Sequence, residues 1–519
     1  MGASLLGYVN IQIEPEYGRW IMGHAHGGAL HFFSCEQAIQ AIEDDNISNN
    51  RQDEMTAEER SVQWKAQPCI TGHFDEVTDL CWEALAGEYL ITVSNDATCR
   101  LWASMTTSQD AWIEISRPQV HGYTLSAVTS ISTINHKHHL VTGADEKEPR
   151  VFDGTHSFLR MLRMLSGRQR CTEDNTTNDG ISRVDRAYMP SLGLSNKDTA
   201  ADGADEDISG ASTSSTMLPL ERDLGSTSLW PETRKLFGHN SEIARLASTA
   251  SARTCLSVDF STPYIDEVVV ASTTKARDVD SANIRLWDVD RNRCLQTLEG
   301  GHRSTVTALS FSPDGTYLAS SGKDRRLCVW KRKSASDVSS EQNGLFFLAS
   351  AVNSSHKRIV WSVHFCPYKP SILASGSRDG TIKLWEIVEG EADTSVNEYS
   401  KFVPTIDGGV SRQSNDKAEA VTSLAFSPTK SVDRSRGILA IGLENGFIQL
   451  WSVPIITSSN ECKLEPPSLA LTFDAHICHI GAVRKLAWRP TADDNDGPSV
   501  LASCSSDNGC RIFSVWLQK

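Results

Sequence analysis

The stretch Gly300–Trp330, GGHRSTVTALSFSPDGTYLASSGKDRRLCVW, decides the fold once it is laid on Ser354–Trp385, SSHKRIVWSVHFCPYKPSILASGSRDGTIKLW. Each places a His four residues before a Val: His302 before Val306, His356 before Val360. A short alternating strand follows and ends in Ser-Pro or Cys-Pro. Next comes an apolar run rich in small residues, LASSG or LASGS. A turn then carries Asp324 or Asp379, and six residues later a strand ends in Trp330 or Trp385. Alternation at period two between turn signals reads as strands. Recurrence of the whole plan reads as a repeat architecture.

The plan extends in both directions. Units stand at 7–33, 70–103, 118–153, 236–288, 300–331, 354–386, 418–452 and 475–514. The unit at 70–103 has His73, Asp96 and Trp102 in the three marked positions. The unit at 418–452 lacks the His and puts Asn445 at the Asp position. In HLVTGADEKEPRVFDG, His139–Gly154, the alignment runs without a gap. Thr142 falls on Ser375, Glu146 on Asp379 and Phe152 on Trp385, with His121 at the loop-His position. Pro149 is expected inside the following strand, where it would remove a ladder donor.

This is the WD-repeat pattern, and it implies an all-β fold: a propeller whose blades are four-stranded antiparallel sheets. In that family the loop His, a strand Ser or Thr, the turn Asp and the Trp form one hydrogen-bonded set. Here it implies His302, Ser320, Asp324 and Trp330 in one blade, and His356, Ser375, Asp379 and Trp385 in another. His73, Asp96 and Trp102 form the same set in a third. A buried His needs a partner for each ring nitrogen, which Asp and Ser supply. The set imitates a catalytic relay, but its recurrence at one offset marks it as structural.

A ninth unit is expected between Ser157 and Lys197, with FLRMLRML and RAYMPSLGLSNK read as two strands. Nine exceed the typical ~4–8 blades of one propeller. Residues 1–117 are therefore expected to carry the last two repeats of an incomplete first propeller. Residues 118–519 are expected to form a complete seven-bladed one. Polar insertions without regular structure are expected near 198–216, 387–417 and 456–470, where composition turns to acid, Ser and Thr.

The 519 residues carry a formal net charge of −15, which argues against a general nucleic-acid binder. Thirteen cysteines, an odd number with no CxxC pair, read as reduced thiols in a cytoplasmic or nuclear protein. No apolar run approaches the ~18–20 residues of a membrane span, so no membrane partner is expected.

The atypical segments narrow the class. HGYTLSAV with LVTGADEKEPRVF, then PSLGLSNK, LWPETRKLFGH and HKRIVWSVHF with GSRDGTIKLW, occur in that order. They resemble the family of subunit 2 of the Elongator complex, a protein of two seven-bladed propellers. ITGHFDEVTDLCW and IMGHAHGGALHFF resemble the last two repeats of its first propeller. Membership implies a non-catalytic scaffold without cofactors, joining the catalytic subunit and the large scaffold subunit of an assembly that modifies the wobble uridine of tRNA. The alternative is a WD-repeat adaptor of another complex, a ubiquitin ligase or chromatin assembly.

Cys478, His479, His476, Cys504 and Cys510 share one repeat, but His479 already fills a structural position and no close ligand pair exists, so no metal is expected. His136, His138 and His139 read as loop histidines. RMLRMLSGRQR, KDRR and KRK are basic and would allow a weak tRNA contact within the complex. No phosphate-binding glycine loop or nucleophile elbow supports an enzyme. Partner contact is expected on the residues beside the turn Asp, Lys323 and Arg378, and on Trp361 beside a polar loop, since Arg and Trp are typical anchors.

Overall fold

The computed structural model describes residues 7–26, 28–35, 64–105, 108–132, 138–165, 183–188, 197–198, 218–252, 268–333, 344–390, 393–404, 418–429, 435–455, 465–474, 476–490 and 497–516. Seven antiparallel sheets follow one another around a closed ring. Their first strands, which line the central channel, are Val77–Trp82, Leu125–Ser130, Ile243–Ser248, Val306–Phe311, Val360–Cys366, Val421–Phe426 and Val483–Trp488, and these define blades 1 to 7. Each packs on the next, and the last packs back on the first. At the seam the Trp82 indole N–H donates to the Ala487 carbonyl at 3.0 Å, and Val77, Leu80, Trp82, Ala502 and Cys504 share one core cluster.

The second strand of each blade explains the small residues in the pattern. It is sandwiched between neighbouring blades and buried on both faces, as in Tyr89–Ser94, His139–Ala144 and Tyr317–Gly322. Such strands read as continuous apolar and small runs rather than alternating ones. A glycine recurs where the next blade comes closest. A Cβ on Gly143 would sit 2.5 Å from Ile243, one on Gly376 2.5 Å from Val421, and one on Gly442 2.6 Å from Val483.

Several expectations change. The sheet with strands Val77–Trp82, Tyr89–Ser94, Thr98–Met105 and Ser108–Val120 is a member of the ring. The boundary expected at 117/118 therefore falls within the ring. Among the described residues two sheets stand outside it: the four-stranded sheet Tyr8–Ile13, Trp20–Ala25, Leu30–Cys35 and Trp64–Gln67, and the short pair Ala187–Tyr188 with Lys197–Asp198. The ninth unit is the reason. FLRMLRML is not a strand but part of a helix, His156–Leu165, that buries Phe158, Leu159, Leu162 and Leu165. Those positions recur every three to four residues, the helical period. Among the described residues only the two-stranded pair Ala187–Tyr188 with Lys197–Asp198 forms there and no blade, so six of the ring's sheets follow residue 118 and the sheet at 77–120 completes the seven. MPSLGLSN, at 189–196, lies outside the described residues.

Blade 2 is consequently drawn out: its fourth strand, Glu232–Lys235, returns only after the helix and the residues that follow it. Pro149 precedes the third strand, Arg150–Asp153, rather than interrupting it, and its carbonyl accepts from Leu236 N–H at 3.0 Å. The expected insertions near 387–417 and 456–470 contain the fourth strands of blades 5 and 6, Thr394–Phe402 and Ser468–Phe473. Outer strands are half exposed, so their composition resembles that of loops. Residues 199–217, 405–417 and 456–464 lie outside the described residues.

Close blade contact gives a direct test. Gly376→Val is expected to cost about 1–3 kcal/mol through overpacking against Val421. Gly122→Val, with no atom within 4 Å of the new Cβ, is expected to stay within ~0.5 kcal/mol of the parent in chemical unfolding. Equal losses would contradict the packing.

Candidate functional site: blade networks and the loop face

The residues most like a catalytic set are bound to one another inside the blades. In blade 1, His73 Nδ1 lies 2.8 Å from Asp96 and Nε2 2.8 Å from the Thr92 hydroxyl, which also accepts from the Trp102 indole N–H at 2.9 Å. In blade 4, His302 stands 3.1 Å from Asp324 and 2.9 Å from Ser320, and Trp330 donates to Ser320 at 3.0 Å. In blade 5, His356 Nε2 reaches Ser375 at 2.7 Å and Trp385 donates to the same oxygen at 2.8 Å. His356 Nδ1 meets the Thr381 hydroxyl at 2.9 Å, and that hydroxyl donates to Asp379. The expected sets thus come together, with Thr92 as the member that the blade 1 reading had not named.

Other blades vary the set. His239 and Trp287 share the Ser272 hydroxyl in blade 3, each at 2.6 Å. In blade 7, His479 bonds Asp507 and Ser503 at 3.1 and 2.8 Å, so both its nitrogens are used. In blade 6, Trp451 donates to the Gln449 side chain at 2.9 Å. Blade 2 departs most. Phe152 has no N–H to offer, and Thr142 donates to Gln119 at 2.7 Å instead of joining His121. His121 lies 3.2 Å from Glu146, and Arg150 bridges Glu146 and Glu232 at 2.7 and 2.8 Å. Burial would raise the Glu146 carboxyl, but His121 and Arg150 outweigh it and hold it at about 2. Of the neighbouring carboxylates, Asp145 pairs with Lys275 on blade 3.

The sequence reading missed a buried ion cluster beside blade 1. Arg117 joins Glu114 at 2.8 Å and Glu221 at 3.0 Å, and Arg100 joins Glu114 at 3.1 Å. Glu221 belongs to a helical turn, Glu221–Leu224, about a hundred residues downstream, and it accepts from Thr71 at 2.8 Å. No local spacing could have signalled that meeting.

Identical motifs titrate oppositely. Burial pulls His302 down, but Asp324 and the Cys328 sulfur more than offset it and raise it to about 9. Burial dominates at His356, where Asp379 acts only at longer range, and lowers it to about 4. Burial and Arg285 lower His239 to about 3. Burial and Lys485 lower His364, on the channel wall, to about 4.

The chain's surface chemistry sits elsewhere. Loops from a fourth strand to the next blade, and turns from second to third strands, emerge on one face of the ring. Trp361 and Arg378 line a recess of about 320 Å³ there, at the mouth of the central channel, with Arg245, Glu444, Arg484 and Lys485. Lys323 is exposed on the same face, on the neighbouring blade, but does not line the recess. Of the basic segments, Arg160 pairs with Asp185 at 3.1 Å, whereas residues 166–170 and His136 lie outside the described residues. Among the described residues no three His, Cys, Asp or Glu form a metal-binding group, and no helix is long and apolar enough to cross a membrane.

Fold and network define a WD-repeat β-propeller protein, and the family model for "WD domain, G-beta repeat" matches residues 64–103, 292–331 and 348–386. Within that class the chain is similar along nearly its whole length to Elongator complex protein 2. It is 31% identical to Elongator complex protein 2 of Arabidopsis thaliana over 95% of this chain and 54% of that relative. It is 30% identical to that of Homo sapiens over 99% of this chain and 59% of the relative, and 31% identical to that of Drosophila melanogaster over 100% and 58%. The chain thus spans less than two thirds of the length of these relatives.

The opposed histidines have opposed pH consequences. His239, His356 and His364 have folded values below 6.5. Their contribution is complete above about 6.5 and is lost as pH falls toward 4. His302 lies above 6.5, so its contribution is complete below about 6.5 and is lost as pH rises through 9. In thermal melts, His302→Gln is expected to flatten the alkaline fall in Tm, and His356→Gln part of the acid fall. Unchanged slopes in both variants would contradict the assignment.

Proposed function

We propose that the chain is a non-catalytic scaffold subunit of an Elongator-like complex. It would hold the catalytic and large scaffold subunits of an assembly that modifies the wobble uridine of tRNA, with a weak tRNA contact of its own, in the cytoplasm with access to the nucleus. The observation that carries this reading is the disposition of reactive groups. The His, Asp, Ser and Thr side chains that could perform chemistry satisfy one another within blades 1, 4, 5 and 7. The distinctive surface groups, Trp361, Arg378 and Lys323, stand on an open loop face. Likeness to Elongator complex protein 2 along nearly the whole chain supports the choice of assembly.

Affinity purification from native extract, followed by mass spectrometry, tests the reading. Elongator catalytic and large scaffold subunits are expected in near-stoichiometric yield. Recovery of ubiquitin-ligase or chromatin components in their place would contradict it. Trp361→Ala is expected to reduce subunit recovery at least ~10-fold, as removal of an anchor worth roughly 2 kcal/mol would, while circular dichroism and Tm stay those of the parent. Undiminished recovery would exclude Trp361 as an anchor.

A further inference from the structure

Two thiols face each other across blade 7, at the seam where the ring closes. Cys504 stands near the end of the second strand, Ser499–Ser505, and Cys510 opens the third, Cys510–Val515. The strands pair antiparallel with Cys504 directly opposite Cys510. The next pair toward the turn is hydrogen-bonded, with Ser505 N–H donating to the Gly509 carbonyl at 3.1 Å. Bonded and non-bonded pairs alternate along an antiparallel ladder, so Cys504 and Cys510 form a non-bonded pair, whose α-carbons stand about 4.5 Å apart. Side chains directly opposite one another share a face of the sheet. A disulfide joins α-carbons roughly 4.4–6.8 Å apart, so the two sulfurs can bond without a change of register.

The repeat does not call for sulfur here. The same two positions hold Ser321 and Leu327 in blade 4, Gly376 and Ile382 in blade 5, and Gly442 and Ile448 in blade 6. Among the described residues no other two cysteines stand opposite each other in a ladder. Cys504 is fully buried in one core cluster with Val77, Leu80 and Trp82 of blade 1, and the half-buried Cys510 packs against that cluster.

Other roles for the pair fail on chemistry. Among the described residues no third His, Cys, Asp or Glu joins them to hold a metal. A nucleophile needs a ready thiolate, whereas burial pushes Cys510 up to about 12, and burial with Cys510 alongside raises Cys504 as well. A thiol of high pKa is also a slow leaving group, so a disulfide between these two, once formed, is slow to exchange away. Access comes from the strand. Among the described residues blade 7 is the ring's one three-stranded sheet, and Cys510–Val515 is paired on one edge only. A strand with few ladder bonds opens locally at low cost, and its opening exposes Cys510 first.

We propose that Cys504 and Cys510 are a redox modification site, a reversible cross-strand disulfide that ties the third strand of blade 7 to the second beside the ring seam, formed by exchange with glutathione disulfide. The Cys510 thiolate attacks one sulfur of glutathione disulfide, giving a mixed disulfide and one glutathione thiolate. The Cys504 thiolate then attacks the Cys510 sulfur and releases the second. Each protein thiol gives up a proton and each departing glutathione takes one up. The protein dithiol is oxidised as glutathione disulfide is reduced to two thiols. The tie closes on the turn whose Asp507 holds His479 at 3.1 Å, so oxidation also fixes that corner of the loop face. The site goes beyond the scaffold reading and is independent of the assembly the chain joins.

The test incubates the full folded chain with glutathione disulfide, alkylates the remaining thiols in denaturant and maps the peptides by mass spectrometry. The exposed Cys294 serves as internal control and is expected to take up glutathione. The peptide carrying Cys504 and Cys510 is expected to lose the mass of two hydrogens and to keep no glutathione, and dithiothreitol to restore it. Cys504→Ser is expected to trap glutathione on Cys510. In hydrogen exchange, amides of Cys510–Val515 are expected to slow at least ~10-fold on oxidation of the parent chain. Modification of Cys294 with both blade 7 thiols still free would overturn the proposal. So would glutathione persisting on Cys510 in the parent, pairing of either thiol with another cysteine, or unchanged exchange in the oxidised strand. The parent chain alone decides among these outcomes, whether or not the variant folds.

Discussion

A buried hydroxyl in the second strand of a blade is the interaction on which the rest depends. Thr92, Ser320 and Ser375 are each fully buried. Each accepts from a Trp indole on the third strand and bonds a His from the loop that enters the blade. One atom therefore ties three segments that are distant in the chain. Where the His is neutral, as at His73 and His356, the order of donors is one-way: indole N–H to hydroxyl, hydroxyl to Nε2, Nδ1–H to carboxylate or through Thr381 to Asp379. At His302, raised to about 9, both ring N–H groups donate, to Ser320 and Asp324. A hydroxyl has one proton and two lone pairs, so replacing it strands a buried indole and a buried imidazole together. An unsatisfied buried polar group costs ~1–3 kcal/mol. The same bonds orient the entry loops, and hence the face that carries Trp361, Arg378 and Lys323.

Blades that lack the full set show what the brace can give up. Blade 6 satisfies its Trp451 from Gln449 and needs no His. Blade 2 has Phe152 for Trp and uses charge instead, with Arg150 clamped between Glu146 and Glu232 on three segments. A buried ion pair is weak evidence for stability, because desolvation offsets attraction. What it supplies is geometry. In blade 2 it fixes a fourth strand that comes back after the excursion through the helix His156–Leu165. The neighbouring cluster of Arg100, Glu114, Arg117 and Glu221 does the same for blade 1, holding a helical turn that belongs to that excursion.

Legibility followed burial. First, second and third strands were readable because their alternation, small residues and His-to-Trp spacing are imposed by packing on two sides. Fourth strands such as Thr394–Phe402 read as insertion because one face is solvated and its residues carry no such constraint. FLRMLRML reads as a strand because a short apolar run fits two periods, and only Phe158, Leu159, Leu162 and Leu165 taken together distinguish them. Membership of the 77–120 sheet in the ring could not be read at all. A blade looks the same wherever the ring closes, and the closing contact, Trp82 to Ala487, spans the chain. Of the surface residues, Lys323 and Arg378 are singled out by their place beside the turn Asp, and Trp361 by its place beside a polar loop.

The central claim is that these histidine and tryptophan sets brace the blades and leave function to the loop face. Hydrogen exchange of the indole N–H groups, resolved by nitrogen-15 NMR on the folded chain, tests it most directly. The account expects the Trp102, Trp287, Trp330 and Trp385 indoles to exchange only through global unfolding, at one shared free energy, while Trp361 exchanges orders of magnitude faster. Rapid, independent exchange at the four braced indoles, with Trp361 as protected as they are, would contradict it.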